Sequence, residues 1–235
     1  MYQGRAIYLE IDHRTIKLLV GIISISLAPL TSYLTARKST SISESYWYGG
    51  LTQGVFIGFL FAIAAFMFAY NGFSLREMVL SKVAAIAAIG IALFPCECGN
   101  KVELIRCDSG LHAEFVPIVH YVSAVVMFLI LAYFCRLFRL RALGKKNIQA
   151  GRRALVYRIC GVVILSAIII LGLNFVSGYK LSGEPMGLTR LTYYGEAIAL
   201  YAFGISWLVA SRVFPYFTCE TELYRILSGK NPPPE

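Results

Sequence analysis

Long apolar runs are the feature that most constrains this chain. An α-helix needs about 20 apolar residues to cross the hydrocarbon core of a bilayer, and runs of about that length recur along the sequence. They cover 16–34, 49–70, 79–95, 115–138, 156–176 and 193–214. Each run is too long for a barrel strand and lacks its strict alternation, so backbone groups in lipid would have to pair within helices. The sequence therefore predicts an all-α fold, a single integral membrane bundle of six transmembrane helices over residues 1–235.

Composition excludes a soluble enzyme with a single-helix anchor. The chain is 57% hydrophobic and only 15% charged, outside the usual balance of soluble domains. No polar stretch is long enough to build a separate soluble core. The first run follows fifteen residues that include Glu10 and Asp12, so we expect it to be retained rather than cleaved as a secretory signal.

The distribution of basic residues predicts an orientation. Of the 22 Lys and Arg residues, 16 fall on the side of the N-terminus and six on the other. Cytoplasmic loops hold the excess of these residues, so we expect both termini in the cytoplasm and the protein in the cell (inner) membrane. We attribute the net charge of +9 to topology and to anionic lipid, and we expect no nucleic-acid partner.

One segment concentrates this positive charge. Residues 136–158, which begin with Arg136 and end with Arg158, hold eight basic side chains and no acidic one. The segment is typical of a cytoplasmic loop that binds anionic inner-leaflet lipid. A docking surface for an acidic partner or a nucleotide is the alternative, although no Walker loop accompanies it.

Small residues recur at every fourth position in the second and third runs. Such ridges let helix backbones approach closely in lipid. We predict a tight contact between the two helices within the chain, and a homo-oligomer interface is the alternative. The ridges comprise Gly50, Gly54 and Gly58, and Ala84, Ala88 and Ala92.

Two ionisable side chains, His120 and Glu196, fall inside predicted spans. At about 1.5 Å per residue, both lie roughly 5 to 8 Å below the outer boundary. Charged groups at such depths are costly and are functional hypotheses by default. Together with Ser123, one turn from His120, they are candidate catalytic residues, in which the carboxylate orients the imidazole and a hydroxyl acts as nucleophile. The alternative is structural: Glu196 reaches the headgroups and His120 bonds a neighbouring carbonyl.

Other polar residues reach the same level. We predict a polar pocket in the outer leaflet that binds a lipid or small amphiphile, and whether it also transforms that ligand stays open. A single histidine within a span is too few for bis-histidine haem, so we expect none. The candidate ligand-binding residues are Gln53, Ser43, Glu44, Tyr46 and Tyr48.

Two other classes of function remain open. An oligomeric channel or transporter is one, although no inverted repeat or matched broken helix is visible. A structural or signalling membrane subunit that uses the basic segment for a partner is the other.

The connection between the third and fourth runs carries three cysteines. In an oxidising compartment we expect a disulfide between Cys98 and Cys107, with Cys96 as the alternative to Cys98. A zinc site formed by Cys96, Cys98, Cys107 and His112 is the minor alternative, because their spacing matches no familiar zinc signature. We expect no other cofactor.

A set of motifs is spread over most of the chain, namely Ser43-x-Ser45-Tyr46-x-Tyr48, Phe56-x-Gly58, Ala69-Tyr70-x-Gly72, Gly90-Ile91-Ala92-Leu93-Phe94-Pro95, His120 and Gly204-Ile205-Ser206-Trp207. In these motifs the chain resembles a family of bacterial six-helix membrane proteins, similar in organisation to the Frag1/DRAM/Sfk1 and domain-of-unknown-function multi-pass groups. The resemblance implies a six-helix membrane domain. Relatives tend to read Tyr-Tyr-His-Thr before the second span, whereas Gly49 and Gly50 follow Tyr48 here, which argues against a metal role for this turn.

Overall fold

The structure is a computed structural model that describes residues 12–36, 39–98, 115–176 and 190–224. Long helices dominate these residues, three short 3₁₀ turns accompany them, and the described part of the chain contains no strand. The all-α class is therefore confirmed. The long helices are α1 (His13–Leu34), α2 (Gly50–Ala69), α3 (Leu75–Leu93), α4 (Phe115–Gly144), α5 (Ile148–Val176) and α6 (Leu191–Ala210). The 3₁₀ turns are Ser43–Tyr46, Pro215–Phe217 and Glu220–Glu222.

Capping residues define where two of the helices begin. The Asp12 side chain accepts a hydrogen bond from the backbone N–H of Arg14 at 2.9 Å and so caps α1. Ser74 caps α3 by accepting from the N–H of Glu77 at 3.3 Å, the Ser-x-x-Glu spacing of a capping box. Just before it, Gly72 has a φ of 64°, and a Cβ there would lie 2.6 Å from the Glu77 side chain. The turn therefore requires glycine.

The helices form a closed ring. Each one packs against its neighbours in the sequence, and α6 completes the ring by packing against α1. Inside the ring, the fully buried Trp207 lies 5.3 to 5.9 Å from the rings of Tyr70, Phe134, Phe138 and Phe203. Aromatic contacts of this kind contribute about 0.5–1.5 kcal/mol each beyond the area they bury. The ring is thus closed around an aromatic core.

A close backbone approach joins α1 and α6. A Cβ on Gly21 would lie 2.9 Å from the carbonyl oxygen of Gly204, and a Cβ on Gly204 would lie 2.8 Å from that of Gly21. Any larger residue would push the two backbones apart. This crossing is the type of contact that small residues provide in membrane bundles.

The glycine ridge of α2 does not make the contact that we expected. A Cβ added to Gly50, Gly54 or Gly58 would meet nothing within 4 Å, and α2 buries another face, which includes Phe56 and Leu60. The facing alanines of α3 are buried as predicted. Helices α2 and α3 do pack together, but the predicted ridge contact is wrong on the α2 side, because a four-residue repeat does not reveal which face turns inward.

The surface of the ring is apolar, as a membrane protein requires. Four helices, α1, α2, α4 and α5, are long and apolar enough to cross a bilayer. Helix α3 is less apolar than these four because its sequence includes Arg76, Glu77 and Lys82. Helix α6 is less apolar because it includes Glu196. The described residues therefore form a membrane-embedded helical bundle.

The basic segment 136–158 is not a loop. Helix α4 extends to Gly144 and α5 begins at Ile148, so that only 145–147 connect them. Leu, Ala and Arg, which are strong helix formers, fill most of the segment, and the Asn147 side chain accepts from the N–H of Ala150 at 2.7 Å at the start of α5. The predicted long loop is therefore wrong. The apolar run ended near the first charged residues, whereas helix α4 continues through them to Gly144.

Candidate functional site

His120 is bonded to the backbone at the end of α3. Its side chain is buried, and its Nδ1 lies 2.7 Å from the carbonyl oxygen of Phe94. This carbonyl follows the last turn of α3, where helix carbonyls lack partners within the helix. Ser123 also packs against α3, because a Cβ on Gly90 would clash with its Oγ. Both candidate catalytic residues of α4 thus face α3.

Glu196 holds the connection between α1 and α2. Its carboxylate accepts hydrogen bonds from the hydroxyls of Ser41 at 2.9 Å and Ser43 at 3.3 Å and from the backbone N–H of Ile42. Helix α6 also bonds this connection through its own backbone, because the N–H of Tyr193 donates to the carbonyl of Thr40 at 3.0 Å. The carboxylate is therefore an anchor for the start of a 3₁₀ turn.

The structure corrects the expected pairing of His120 with Glu196, because the two side chains do not bond each other. Each side chain has hydrogen-bond partners of its own, at Phe94 for the imidazole and at 41–43 for the carboxylate. The two side chains therefore bind different neighbours, and equal depth along the helices did not pair them. For His120 the arrangement matches the structural alternative, whereas Glu196 bonds to the protein rather than extending toward headgroups.

We call residues 39–49 the polar cap. Glu44 accepts from the hydroxyl of Thr40 at 3.2 Å and from its N–H, and Trp47 Nε1 donates to the carbonyl of Cys96 at 3.0 Å. These bonds fasten the polar cap to itself and to the end of α3. Glu44, like Ser43 and Glu196, thus forms hydrogen bonds that stabilise the polar cap.

The aromatic and amide candidates of this region lie at its edge. Tyr46 stacks edge-on against Trp47 at 5.4 Å. Tyr48 and Gln53 are half-buried, and burial together with the nearby Glu44 charge raises the pKa of the Tyr48 hydroxyl. Four of the five predicted ligand-binding residues thus belong to the polar cap itself, and Gln53 follows it in the first turn of α2.

Cys96 is a buried free thiol. Burial raises its pKa to about 12, and the charges of Glu196 and Glu44 act in the same direction. Since the thiolate is the reactive form, the raised pKa lowers the reactivity of this sulfur. Because the thiol is free, the alternative disulfide through Cys96 is not formed. Cys107 and His112 lie outside the described residues. Within the described ranges no group of three potential metal ligands occurs, so the zinc hypothesis stays a prediction.

A cavity of about 40 Å³ opens at the other end of the bundle, where α1 begins. We call it the basic cavity. Four basic side chains and one carboxylate contribute to its lining, with aromatic rings beside them. These residues are Arg14, Lys17, Arg141 and Arg212, then Asp12, and then Phe73, Phe138 and Tyr157.

The cations of the basic cavity are unusually buried. Arg14, Lys17 and Arg212 are only 5%, 7% and 9% exposed, and withdrawing a charge from water costs several kcal/mol unless it is compensated. Lys17 Nζ lies 5.4 to 5.6 Å from the ring centroids of Tyr70, Phe73 and Phe138. This range permits cation–π attraction, so the rings compensate part of the cost.

Carboxylates pair with several of the cations in and around the basic cavity. Arg141 pairs with the buried Glu77. Glu222 receives Lys145 at 2.8 Å, Arg212 at 3.2 Å and Arg153 at 3.5 Å. Ion pairs thus hold basic side chains in place around the basic cavity.

The sequence analysis did not predict this cavity, because it used the basic residues only to predict the orientation of the chain in the membrane. A signal was present in α1. Arg14 and Lys17 continue a helix face of small and polar residues that is buried, and such faces turn toward the interior of membrane bundles. That face continues through Gly21, Ser24, Ala28 and Thr31.

Comparisons of this chain with family models, with curated proteins and with solved structures found no match. The resemblance to the Frag1/DRAM/Sfk1 and related multi-pass groups therefore stays a prediction.

Proposed function

We propose that this chain is a multi-pass membrane protein that binds an anionic lipid or another acidic amphiphile, with the acidic headgroup in the basic cavity. The observation that carries the proposal is the group of four basic side chains, three of them buried, that lines an open cavity at one end of an apolar bundle. The amphiphile expected from the sequence is retained, but its site moves from the polar cap to the opposite end of the helices.

We further propose that all six long helices span the membrane. The outward face of α3 is apolar, with Val79, Val83 and Ile86 at 49%, 38% and 64% exposure. Its charged residues lie in the first turns, where long side chains reach the interface. In α6 the single carboxylate lies in the second turn and is held by the polar cap. Both helices are therefore compatible with lipid.

Six spans place both termini on one side of the membrane. The excess of basic residues on that side favours the cytoplasm and the inner membrane. The basic cavity then faces the leaflet in which anionic lipids concentrate, and each nearby basic residue adds about 1 kcal/mol of attraction. Ligand and site would thus meet on the same side.

Lipid binding to Lys17→Met tests the proposal. Lys82→Met is a matched control, since Lys82 also lies toward this end and over a ring, Phe68 at 5.0 Å, but does not line the cavity. In nanodiscs, we expect Lys17→Met to weaken binding of a labelled anionic phospholipid about fivefold, the effect of roughly 1 kcal/mol. We expect Lys82→Met to leave it nearly unchanged.

Two results would reject the proposed function. One is equal binding of anionic and zwitterionic lipid by the unaltered protein. The other is equal weakening by both lysine substitutions, which would show that charge acts from the surface in general and not through the cavity.

We also propose a disulfide between Cys98 and Cys107. With Cys96 buried as a free thiol, Cys98 is the remaining partner that the sequence offered for Cys107. The intact protein should then weigh two hydrogens less than its reduced form, and identical masses before and after reduction would exclude the bond.

A further inference from the structure

We infer that the lipid-facing groove between α4 and α5 binds the headgroup of a lipid with two phosphates, through Arg136, Arg139 and Arg158. We call these three residues the arginine cluster. None of them lines the basic cavity. The groove is therefore a second lipid site, on the outside of the bundle, and it does not depend on the proposed one.

The packing of α4 against α5 places the arginine cluster on one side of the helix pair. A Cβ on Gly161 would lie 3.3 Å from the Cβ of Cys135, and the ring centroids of Phe138 and Tyr157 are 5.6 Å apart. Each arginine directly follows one of these contact residues, Cys135, Phe138 or Tyr157. In two antiparallel helices, the residue after each contact residue is about 100° further round and turns toward the same side of the pair.

The three side chains also lie at one level along the helices. Arg136 and Arg139 are three residues apart on α4 and thus about 4.5 Å apart along its axis. The two helix contacts described above place Arg158 of α5 between these levels. Arg136 and Arg158 are exposed, and Arg139 is half-buried. Packed helix axes lie about 8–10 Å apart, so the long side chains of both helices reach the groove.

The described part of the chain supplies no ion pair or hydrogen bond to the arginine cluster. Other basic residues of 136–158 differ in this respect, because Arg141 pairs with Glu77 and Arg153 with Glu222. The structure thus divides the basic segment into residues that bind the protein and a cluster that faces outward. The outward cluster presents three positive charges to a ligand.

Apolar residues on both sides of the arginine cluster place it against lipid. Leu140 lies four residues beyond Arg136, and Leu129 lies seven residues before it, both on its face of α4. Leu165 has the same spacing of seven from Arg158 on α5, and all three leucines are exposed. A soluble acidic partner would have to displace lipid to reach the cluster. A phospholipid instead places its phosphate beside the arginines and its acyl chains along the apolar groove.

The number of cations and their division between two helices favour a headgroup with two phosphates. A guanidinium group binds phosphate through paired N–H groups. A lipid with one phosphodiester brings one negative charge to three arginines. Cardiolipin, in which a glycerol joins two phosphodiesters, brings two and can contact both helices at once. Basic sites between transmembrane helices are typical binding sites for such headgroups.

Native mass spectrometry with added lipid tests the inference. At equal total phosphate and ionic strength, we expect cardiolipin to bind at least about fivefold more tightly than phosphatidylglycerol, which has one phosphate. Arg136→Gln combined with Arg158→Gln should weaken cardiolipin binding about thirtyfold, the combined attraction of two basic residues near a membrane surface. Arg76→Gln combined with Lys146→Gln removes the same charge at exposed positions near this end and should have little effect.

A charge-keeping variant separates binding from folding. Arg136→Lys combined with Arg158→Lys should lose less affinity than the glutamine variant. Equal binding of the two lipids, equal effects of the cluster and control substitutions, or an equal loss in the lysine variant overturns the inference. If Lys17→Met weakens cardiolipin binding as much as the glutamine variant, the lipid lies in the basic cavity, so the inference fails and the proposed function stands. A loss in the glutamine variant with no change in Lys17→Met supports the arginine cluster whether or not the basic cavity binds lipid.

Discussion

At the scale of single residues, a buried charge in this bundle persists because its neighbours compensate it, and they do so by different means at the two ends. Glu196 accepts hydrogen bonds from two serine hydroxyls and a backbone N–H. Lys17 lies over three aromatic rings. The first arrangement anchors a connection between helices, and the second leaves a positive charge beside a cavity.

Glu196→Gln should therefore reduce stability without affecting lipid binding. Hydrogen bonds to a charged group contribute about 1.5–3 kcal/mol each, and the neutral amide weakens those to the polar cap. We expect the free energy of unfolding to fall by about 1–3 kcal/mol, observed as a lower Tm in detergent. Glu97→Gln, at an exposed position near the same end, should have almost no effect. An unchanged Tm in Glu196→Gln, or altered lipid affinity, would contradict the anchoring role.

Depth along a helix could be predicted from sequence, but direction around it could not. The rise per residue placed His120 and Glu196 near the same end of the bundle, and their contacts lie there. The partner of His120, however, is the backbone carbonyl of Phe94, and one partner of Glu196 is the backbone N–H of Ile42. Backbone groups leave no mark in a residue pattern. Burial of Arg14 and Lys17 was missed for a related reason, since Lys and Arg are almost always exposed unless paired.

At the scale of elements, the existence of each long helix could be predicted from the sequence. The residues at which a helix begins and ends, and the face that it buries, were predicted less well. Six apolar runs correspond to six helices. The predicted run for α4 ended too early and the run for α5 began too late, because a search for apolar residues stops at charged residues while helix formation does not. The small residues that determine a close crossing are Gly21 and Gly204, two isolated glycines, rather than the conspicuous ridge of α2.

Gly204→Ala should destabilise the bundle. Its methyl group would lie 2.8 Å from the carbonyl oxygen of Gly21, so α1 and α6 must separate, and overpacking of this kind costs about 1–3 kcal/mol. Gly58→Ala adds the same methyl where nothing lies within 4 Å and should be neutral or stabilising by up to about 1 kcal/mol. Thermal unfolding of the two purified variants in one detergent compares them directly. A Tm for Gly204→Ala at or above that of Gly58→Ala would show that the crossing tolerates a side chain.

At the scale of the whole molecule, the ring brings the two described ends of the chain together. The hydroxyls of Thr15 and Tyr224 lie 2.6 Å apart, and the N–H of Tyr224 donates to the carbonyl of Arg212 at 3.0 Å. The segment after α6 thus lies beside the start of α1, next to the basic cavity. Closure of the ring could not be derived from hydropathy, which identifies spans but not their neighbours.

Reporter fusions test the proposed orientation. Green fluorescent protein folds in the cytoplasm and alkaline phosphatase is active outside it, so we expect fluorescence and no phosphatase activity from fusions at either end of the chain. A fusion within 145–147 should behave in the same way, whereas one at Thr40 in the polar cap should show phosphatase activity. Opposite behaviour of the two chain ends would mean an odd number of spans.

Because Thr15 and Tyr224 are in contact, the helices of the bundle could be connected in a different order along the chain. A short linker that joins residue 224 to residue 12, with a new break in the tight turn 145–147, would produce a circular permutant. Every helix would keep its direction and both neighbours, because no contact of the ring depends on which helix is synthesised first. Insertion would then begin with the helix that is now fifth, so the permutant separates the order of translation from the order of packing.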